Sequence, residues 1–236
     1  MPYWWGMAFS DTATVDVWRE RALARSLADA RARSVDRLDR LVAAARDLAN
    51  ETGSAGFTVS QVAGRAGVSL KIFYRYFASK DDLLVALLEE DSRLGAAILR
   101  ERVDEHTGRE ARLRAYLTGV FELLTLPGAL GYAGVLIREH RRLSENRPDE
   151  LAAALAPIID VFGEELAAGV TDGIISSADP HRDARLTFTL VLDGIHEVVV
   201  GRAEPLDQAA YLWRFVHCGV RGDPTPSTAP TSREDR

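Results

Sequence analysis

Two short helical signals lie a few residues apart, joined by Arg65-Ala66-Gly67-Val68-Ser69, and this junction constrains the chain more than any other segment. Thr58 and Gln61 stand at the spacing of a capping box, in which the hydroxyl and the amide satisfy each other's orphan backbone donors at a helix start. Val59, Val62, Ala63 and Ala66 mark the buried side of that helix. Gly67 ends it, because glycine tolerates the positive φ that a tight turn demands. Ser69 is an N-cap for a second short helix running to about Phe77. Helix, tight turn, helix is the sequence form of a helix-turn-helix over Thr58–Phe77.

The second helix divides into two faces. Phe73 and Phe77, four apart, with Ile72 and Tyr76 beside them, belong to a core-facing side. Leu70, Lys71, Tyr74 and Arg75 share the other. They offer an aliphatic group, two cations and a phenol, which suit thymine methyls, guanine edges and phosphates. Thr58 and Ser69 sit at helix N-termini, where hydroxyls and free N–H groups suit phosphate oxygens. Lys80 starts the following helix and can reach the same backbone. The competing reading of this spacing is an ordinary three-helix unit with a solvated basic face.

The net charge of −6 is unevenly spread. Residues 19–80 hold 12 Lys and Arg against 6 Asp and Glu, a balance of +6; residues 81–236 hold 17 against 27, or −10; residues 1–18 add −2. Such asymmetry fits an N-terminal part that meets a polyanion, or a chance gradient of solvated charge.

The rest reads as helices throughout. An amphipathic stretch covers Val15–Arg33, and a second begins at Ser34 with apolar residues at spacings of three and four. Ser79 caps a long helix from Lys80 to about Glu105. Thr107 with Glu110 suggests a further capping box, opening a helix to about Leu126. Others run to about Leu143, from Pro148 with a kink at Pro157, from Pro180 to about Arg202, and from Pro205 to near Gly222. The tail GDPTPSTAPTSREDR reads as flexible. No apolar run reaches the ~18–20 residues of a membrane span. The N-terminus lacks the basic-then-apolar form of a secretory signal, and a cytoplasmic location is the expectation. Cys218 is the only cysteine, so no internal disulfide forms. There is no nucleophile elbow, phosphate loop, zinc-protease or dinucleotide motif, and an enzyme, a cofactor and a metal site are not expected.

The segment FTVSQVAGRAGVSLKIFYRYFASKDDLLVALLEE resembles the DNA-binding domain of TetR-type regulators. Ala63, Ala66, Gly67, Val68, Ser69, Phe73, Tyr74, Tyr76, Phe77, Ser79, Lys80 and Leu83 match the family pattern. The resemblance implies an all-α fold: an N-terminal three-helix helix-turn-helix domain, residues 34–94, and a larger helical ligand-binding and dimerisation domain, residues 95–222. Residues 1–33 form a partly helical extension and 223–236 a tail. It implies double-stranded operator DNA, a small-molecule effector and a second copy of the chain as partners, and a repressor released from a palindromic operator. Thr58, Tyr74, Tyr76 and Lys80 match positions that contact phosphates in the family; Leu70 and Lys71 match positions near bases. Ile72 stands where a backbone-contacting Thr is common, and Arg75 can compensate.

The extension holds Arg19, Arg21, Arg25, Arg31 and Arg33. It is either an arm that contacts DNA or a helix packed on the body through Trp4, Trp5, Phe9 and Trp18. An apolar effector, lipid-like or aromatic, would be lined by Phe121, Leu124, Leu130, Tyr132, Leu136, Ile158, Phe162, Phe188 and Leu192, each of which can equally be plain core. Asp193, His196 and Glu197 read as a polar ligand anchor or as a seam between subunits. The resemblance pairs the last two helices with those of a partner, with Val198, Val199, Leu212, Trp213, Phe215 and Val216 supplying apolar contact.

Overall fold

The structure, a computed structural model, describes residues 12–220. Nine helices account for the regular structure of the described residues: α1 Thr12–Thr52, α2 Val59–Arg65, α3 Leu70–Tyr76, α4 Lys80–Asp104, α5 Arg109–Leu123, α6 Ala129–Asn146, α7 Pro148–Thr171, α8 Pro180–Val199 and α9 Pro205–Val220. The fold is all-α, as the periodicity and the resemblance imply. The expected tail, Trp4, Trp5 and Phe9 lie outside the described residues.

Local signals set the first elements. Thr58 caps α2, and its hydroxyl accepts from the Gln61 backbone N–H at 3.2 Å while the Gln61 amide oxygen accepts from the Thr58 N–H at 2.7 Å. Gly67 takes φ +65°, and the turn is held by the Val68 N–H on the Ala63 carbonyl at 2.9 Å. Ser69 caps α3 and Ser79 caps α4. Three expectations fail. There is no helix break at Ser34: α1 runs through it, because its Ala-, Leu- and Arg-rich sequence consists of strong helix formers and a single Ser does not interrupt them. The Thr107–Glu110 capping box does not form; Gly108, at φ +90°, precedes α5 with no side-chain cap. Trp18 is 59% exposed and anchors nothing on the body.

The core falls into two clusters. Leu41, Ala45, Val62, Phe73, Leu83 and Leu87 unite α1–α4, and Val135, Leu143, Leu151 and Leu155 from α6 and α7 close over the same cluster. The apolar packing of the N-terminal unit therefore runs on into α6 and α7. Leu99, Leu113, Tyr116, Phe121, Phe162, Leu166 and Val191 form the second cluster. Here α8 lies close on α5: a Cβ on Gly194 would meet the Phe121 ring at 2.9 Å.

Pro157 sits inside α7, where it removes one backbone donor and presses on the preceding turn. The next residue is tied down from both sides. The Ile158 N–H donates to the Ser92 hydroxyl of α4 at 3.2 Å, and the Tyr116 hydroxyl of α5 donates to the Ile158 carbonyl at 2.9 Å. Tyr116 is fully buried, and burial pushes its phenol well above the ordinary range. Tyr116→Phe should cost about 1 kcal/mol, by removing this second hydrogen bond on the Ile158 carbonyl. Denaturant titration checks this, with exposed Tyr211→Phe as the unchanged control.

A candidate nucleic-acid interface coupled to an apolar cavity

The α3 helix presents two chemically different sides. Phe73 is wholly buried and Phe77 nearly so; Ile72 and Tyr76 are half-buried. Leu70, Lys71, Tyr74 and Arg75 are exposed together, with Leu70 at 46% and Tyr74 at 57%. Neither Lys71 nor Arg75 pairs with a carboxylate among the described residues, whereas Arg65 is held by Glu51 at 2.6 Å. The Arg75 guanidinium lies 4.9 Å over the Tyr76 ring and donates to its hydroxyl at 3.0 Å. Hydrogen bonding to Ser34, opposed by burial and reinforced by Arg37 and Arg75, brings the Tyr76 phenol down to about 8. Thr58 and Ser69 are exposed at the starts of α2 and α3.

Lys80 is half-buried at the start of α4. Its ammonium donates to the Ala55 carbonyl and lies 4.7 Å over the Phe57 ring, and burial lowers its pKa. That bond engages one of the ammonium's three donors in bracing the α1–α2 loop.

Between α4, α5, α6, α7 and α8 lies an apolar cavity of about 160 Å³. Its walls include Leu88, Ala133, Leu136, Ile158, Phe188 and Leu192, with Asp91, Ser92 and His140 as its polar members. Of the residues expected to line a pocket, Leu136, Ile158, Phe188 and Leu192 do so. Phe121, Leu124 and Phe162 do not, because they fill the second core cluster; Phe162 packs its ring 5.0 Å from that of Tyr116. Leu130, Asp193 and His196 are exposed, turned away from the cavity. Tyr132 touches the site indirectly, through Asp91. Four other hollows are wider but more open and more polar, such as the groove at Arg102, His106, Trp213 and His217. An apolar wall suits a small molecule better than a wider polar groove.

Asp91 was missed by sequence reasoning, although its place seven residues after Leu84 and four after Leu87 puts a carboxylate on the buried face of α4. It accepts two hydrogen bonds at one oxygen from Arg46 of α1, at 3.1 and 2.8 Å, and one at the other from the Tyr132 hydroxyl of α6, at 2.5 Å. Arg46 also pairs with Glu90 at 3.2 Å. Burial pushes the Asp91 carboxyl above its ordinary value despite the nearby cation, and burial with Asp91 raises the Tyr132 phenol. His140, across the cavity, is pushed down by burial and so stays neutral near pH 7.

Helix α6 has a side for each region. Ala133, Leu136, Ile137 and His140 face the cavity. Arg138, on another face, donates to the Gly53 carbonyl at 2.7 Å, Arg142 makes two bonds to Asp81 at 2.9 and 2.7 Å, and Arg147, just after α6, pairs with Asp82 at 2.5 Å. One helix thus lines the cavity and grips the end of α1 and the start of α4.

On the far side, α8 and α9 expose Leu186, Leu190, Tyr211 and Phe215, the last at 62%. Val198, Leu212 and Val216, expected to meet a partner, are instead buried in the chain's own second cluster.

This geometry is that of a helix-turn-helix domain built onto a helical body with an internal cavity. Residues 41–87 match the model of the family described as bacterial regulatory proteins, tetR family. Over these residues the chain is similar to that family. It is 36% identical over 80 residues to the HTH-type transcriptional regulator BetI of Paraburkholderia phymatum, a match covering 34% of this chain and 41% of that protein. The chain thus matches about two fifths of the length of such relatives. The fatty acid metabolism regulator protein of Bacillus subtilis is 25% identical over 159 residues, 67% of this chain and 79% of that one. The solved FadR of Bacillus subtilis, in complex with stearoyl-CoA, superposes with a TM-score of 0.64 at 21% identity, covering 77% of this chain and 98% of that one. Each of these relatives is named as a regulator. Among the described residues no helix is long and apolar enough to cross a membrane.

Removing one member of the Arg46–Asp91–Tyr132 cluster leaves a poorly solvated charge. Arg46→Met should lower stability by about 1.5–3 kcal/mol, and Asp91→Leu added to it should restore much of the loss. Denaturant midpoints of the single and double variants check this; equal or greater loss in the double variant contradicts it.

Proposed function

We propose that this protein is a dimeric transcriptional repressor that holds a near-palindromic operator through α3 and releases it when an apolar effector enters the α4–α8 cavity. The observation that carries this reading is the two-sided placement of α6, whose Leu136 and His140 line the cavity while Arg138 and Arg142 grip the N-terminal unit. The exposed set Leu70, Lys71, Tyr74 and Arg75 supplies base and phosphate contacts. Thr58 and Ser69 supply hydroxyls at helix starts, and Tyr76 offers a phenol beside Arg75.

The exposed residues Leu186, Leu190, Tyr211 and Phe215 support a second copy of the chain as the partner of α8 and α9, with Asp193 and His196 in the seam. Pairing sets two recognition helices about one turn of DNA apart, ~34–36 Å.

At about 160 Å³ the cavity is smaller than the ~300–1,000 Å³ of most ligand sites. An effector of larger volume must move a wall, and α6 is the wall attached to the DNA-binding unit. Only a ligand that prefers the released arrangement can shift the equilibrium. Asp91 belongs to both parts: it lines the cavity and holds Arg46 of α1. A ligand that draws Asp91 or Tyr132 away therefore loosens the grip on α1.

The B. subtilis FadR structure holds stearoyl-CoA, which makes stearoyl-CoA and stearate the first probes. DNA from upstream of the protein's own coding sequence is titrated by fluorescence anisotropy. Lys71→Ala and Arg75→Ala should each weaken binding about tenfold and lower the log–log salt slope by about one. Ala133→Leu, which fills the cavity, should keep DNA binding and lose release by effector. No DNA binding by the wild type, or unchanged binding by both cation variants, contradicts the DNA reading. Release by neither probe, with no compound retained in the native mass spectrum, contradicts the effector reading.

A further inference from the structure

The first half of α1 stands off the body. Every residue from Val17 to Arg33 is exposed, including Leu23 and Leu27 at 64% and 70%. The helix is nevertheless continuous into its second half, where Leu41, Val42 and Ala45 are buried in the N-terminal core. A lone helix gains little from tertiary burial and is marginal in water. This one is nucleated by the anchored half and is free to be covered by a partner.

Its point of departure identifies that partner. Contact with the body begins at Ser34 and Arg37, the first half-buried residues of α1, whose side chains act on the phenol of Tyr76 at the end of α3. One turn further on, Arg40 donates to the Ala66 carbonyl of the helix-turn-helix junction at 3.1 Å. The free half therefore leaves the molecule beside the surface that carries Lys71 and Arg75. It bears Arg19, Arg21, Arg25, Arg31 and Arg33 against Glu20 and Asp29, a balance of +3. Among the described residues none of these five arginines is ion-paired; Arg25 bonds only the Arg21 carbonyl at 3.4 Å, and Arg19 lies 5.6 Å over Trp18. Unpaired guanidinium groups at this density are suited to phosphates.

We propose that residues 17–33 form a second DNA-binding element that runs along the phosphate backbone flanking the half-site read by α3. The inference rests on the DNA-binding reading above. At 1.5 Å per residue the free half spans roughly 25 Å, or about seven base pairs at 3.4 Å each, so each subunit would lengthen the footprint outward.

The test uses the full chain and the variant R19Q/R21Q/R25Q/R31Q/R33Q, which keeps length and helix propensity, alongside a deletion of residues 1–33. Each is titrated against the operator with and without about eight flanking base pairs per side, across a range of salt. The wild type should bind the longer DNA about tenfold or more tighter than the trimmed one. The five-fold variant should lose that preference and two or more from its salt slope, and the deletion should match it. Circular dichroism and sedimentation establish that each variant is folded and of unchanged mass. Unchanged slope and flank dependence in the five-fold variant, with Lys71→Ala still weakening binding, overturns the arm and leaves the DNA reading intact. A change of mass without a change of slope overturns it in favour of self-association. No DNA binding by any form overturns both.

Discussion

The Arg46–Asp91–Tyr132 cluster is the interaction on which the relation between the two halves depends. Arg46 lies on the helix that buttresses the recognition unit, Asp91 on the long helix that runs into the body, and Tyr132 on the helix that walls the cavity. A carboxylate at such a place is costly unless both its oxygens are engaged, and here both are. The cost of separating them keeps α1, α4 and α6 in one arrangement. The same cost makes a second arrangement reachable only when something else, such as a ligand in the adjoining cavity, offers replacement contacts.

Polar contacts around this cluster share a theme. Arg138, Arg142 and Arg147 carry guanidinium groups across to the Gly53 carbonyl, Asp81 and Asp82. Asp81 and Asp82 also occupy the first turn of α4, where the helix dipole favours anions. The start of α4 is thus a place where helix termination, charge and interdomain contact coincide. Partly exposed pairs of this kind add modest stability one by one, and their geometry defines how α6 and α4 sit together. Apolar residues reinforce it: Val135 and Leu143 of α6 are buried in the same cluster as Phe73.

What could be read from residues alone follows from the range over which each signal acts. The α2–turn–α3 unit was legible because Thr58, Gln61, Gly67 and Ser69 act within four residues of themselves. The exposed face of α3 followed from helical spacing. The cavity was only partly legible. Large aromatics such as Phe121 and Phe162 attract attention as pocket walls, yet long-range packing of α5 on α7 and α8 claims them for the core. The walls that matter include the small Ala133 and Ser92 and the charged Asp91, which a search for apolar bulk passes over. Asp91 and His140, each in register with apolar neighbours on a buried helix face, were the available signal. The standing of α1 away from the body was not legible, since an alternating Arg-Ala-Leu sequence reads the same whether its apolar side is covered or bare.

The proposed switch makes effector binding in the cavity and operator binding by α3 mutually exclusive states of one α6-linked assembly. The most direct measurement is the distance between spin labels beside the two recognition helices of the proposed dimer, attached on α2 at the exposed Gly64→Cys in a Cys218→Ser background, by pulsed dipolar spectroscopy. With operator DNA bound, the label distance should form one narrow distribution consistent with helices ~34–36 Å apart. Saturating effector should replace it with a second, displaced distribution, and Ala133→Leu should abolish the change. A single distribution unmoved by effector, or no dipolar signal between subunits, would contradict the account.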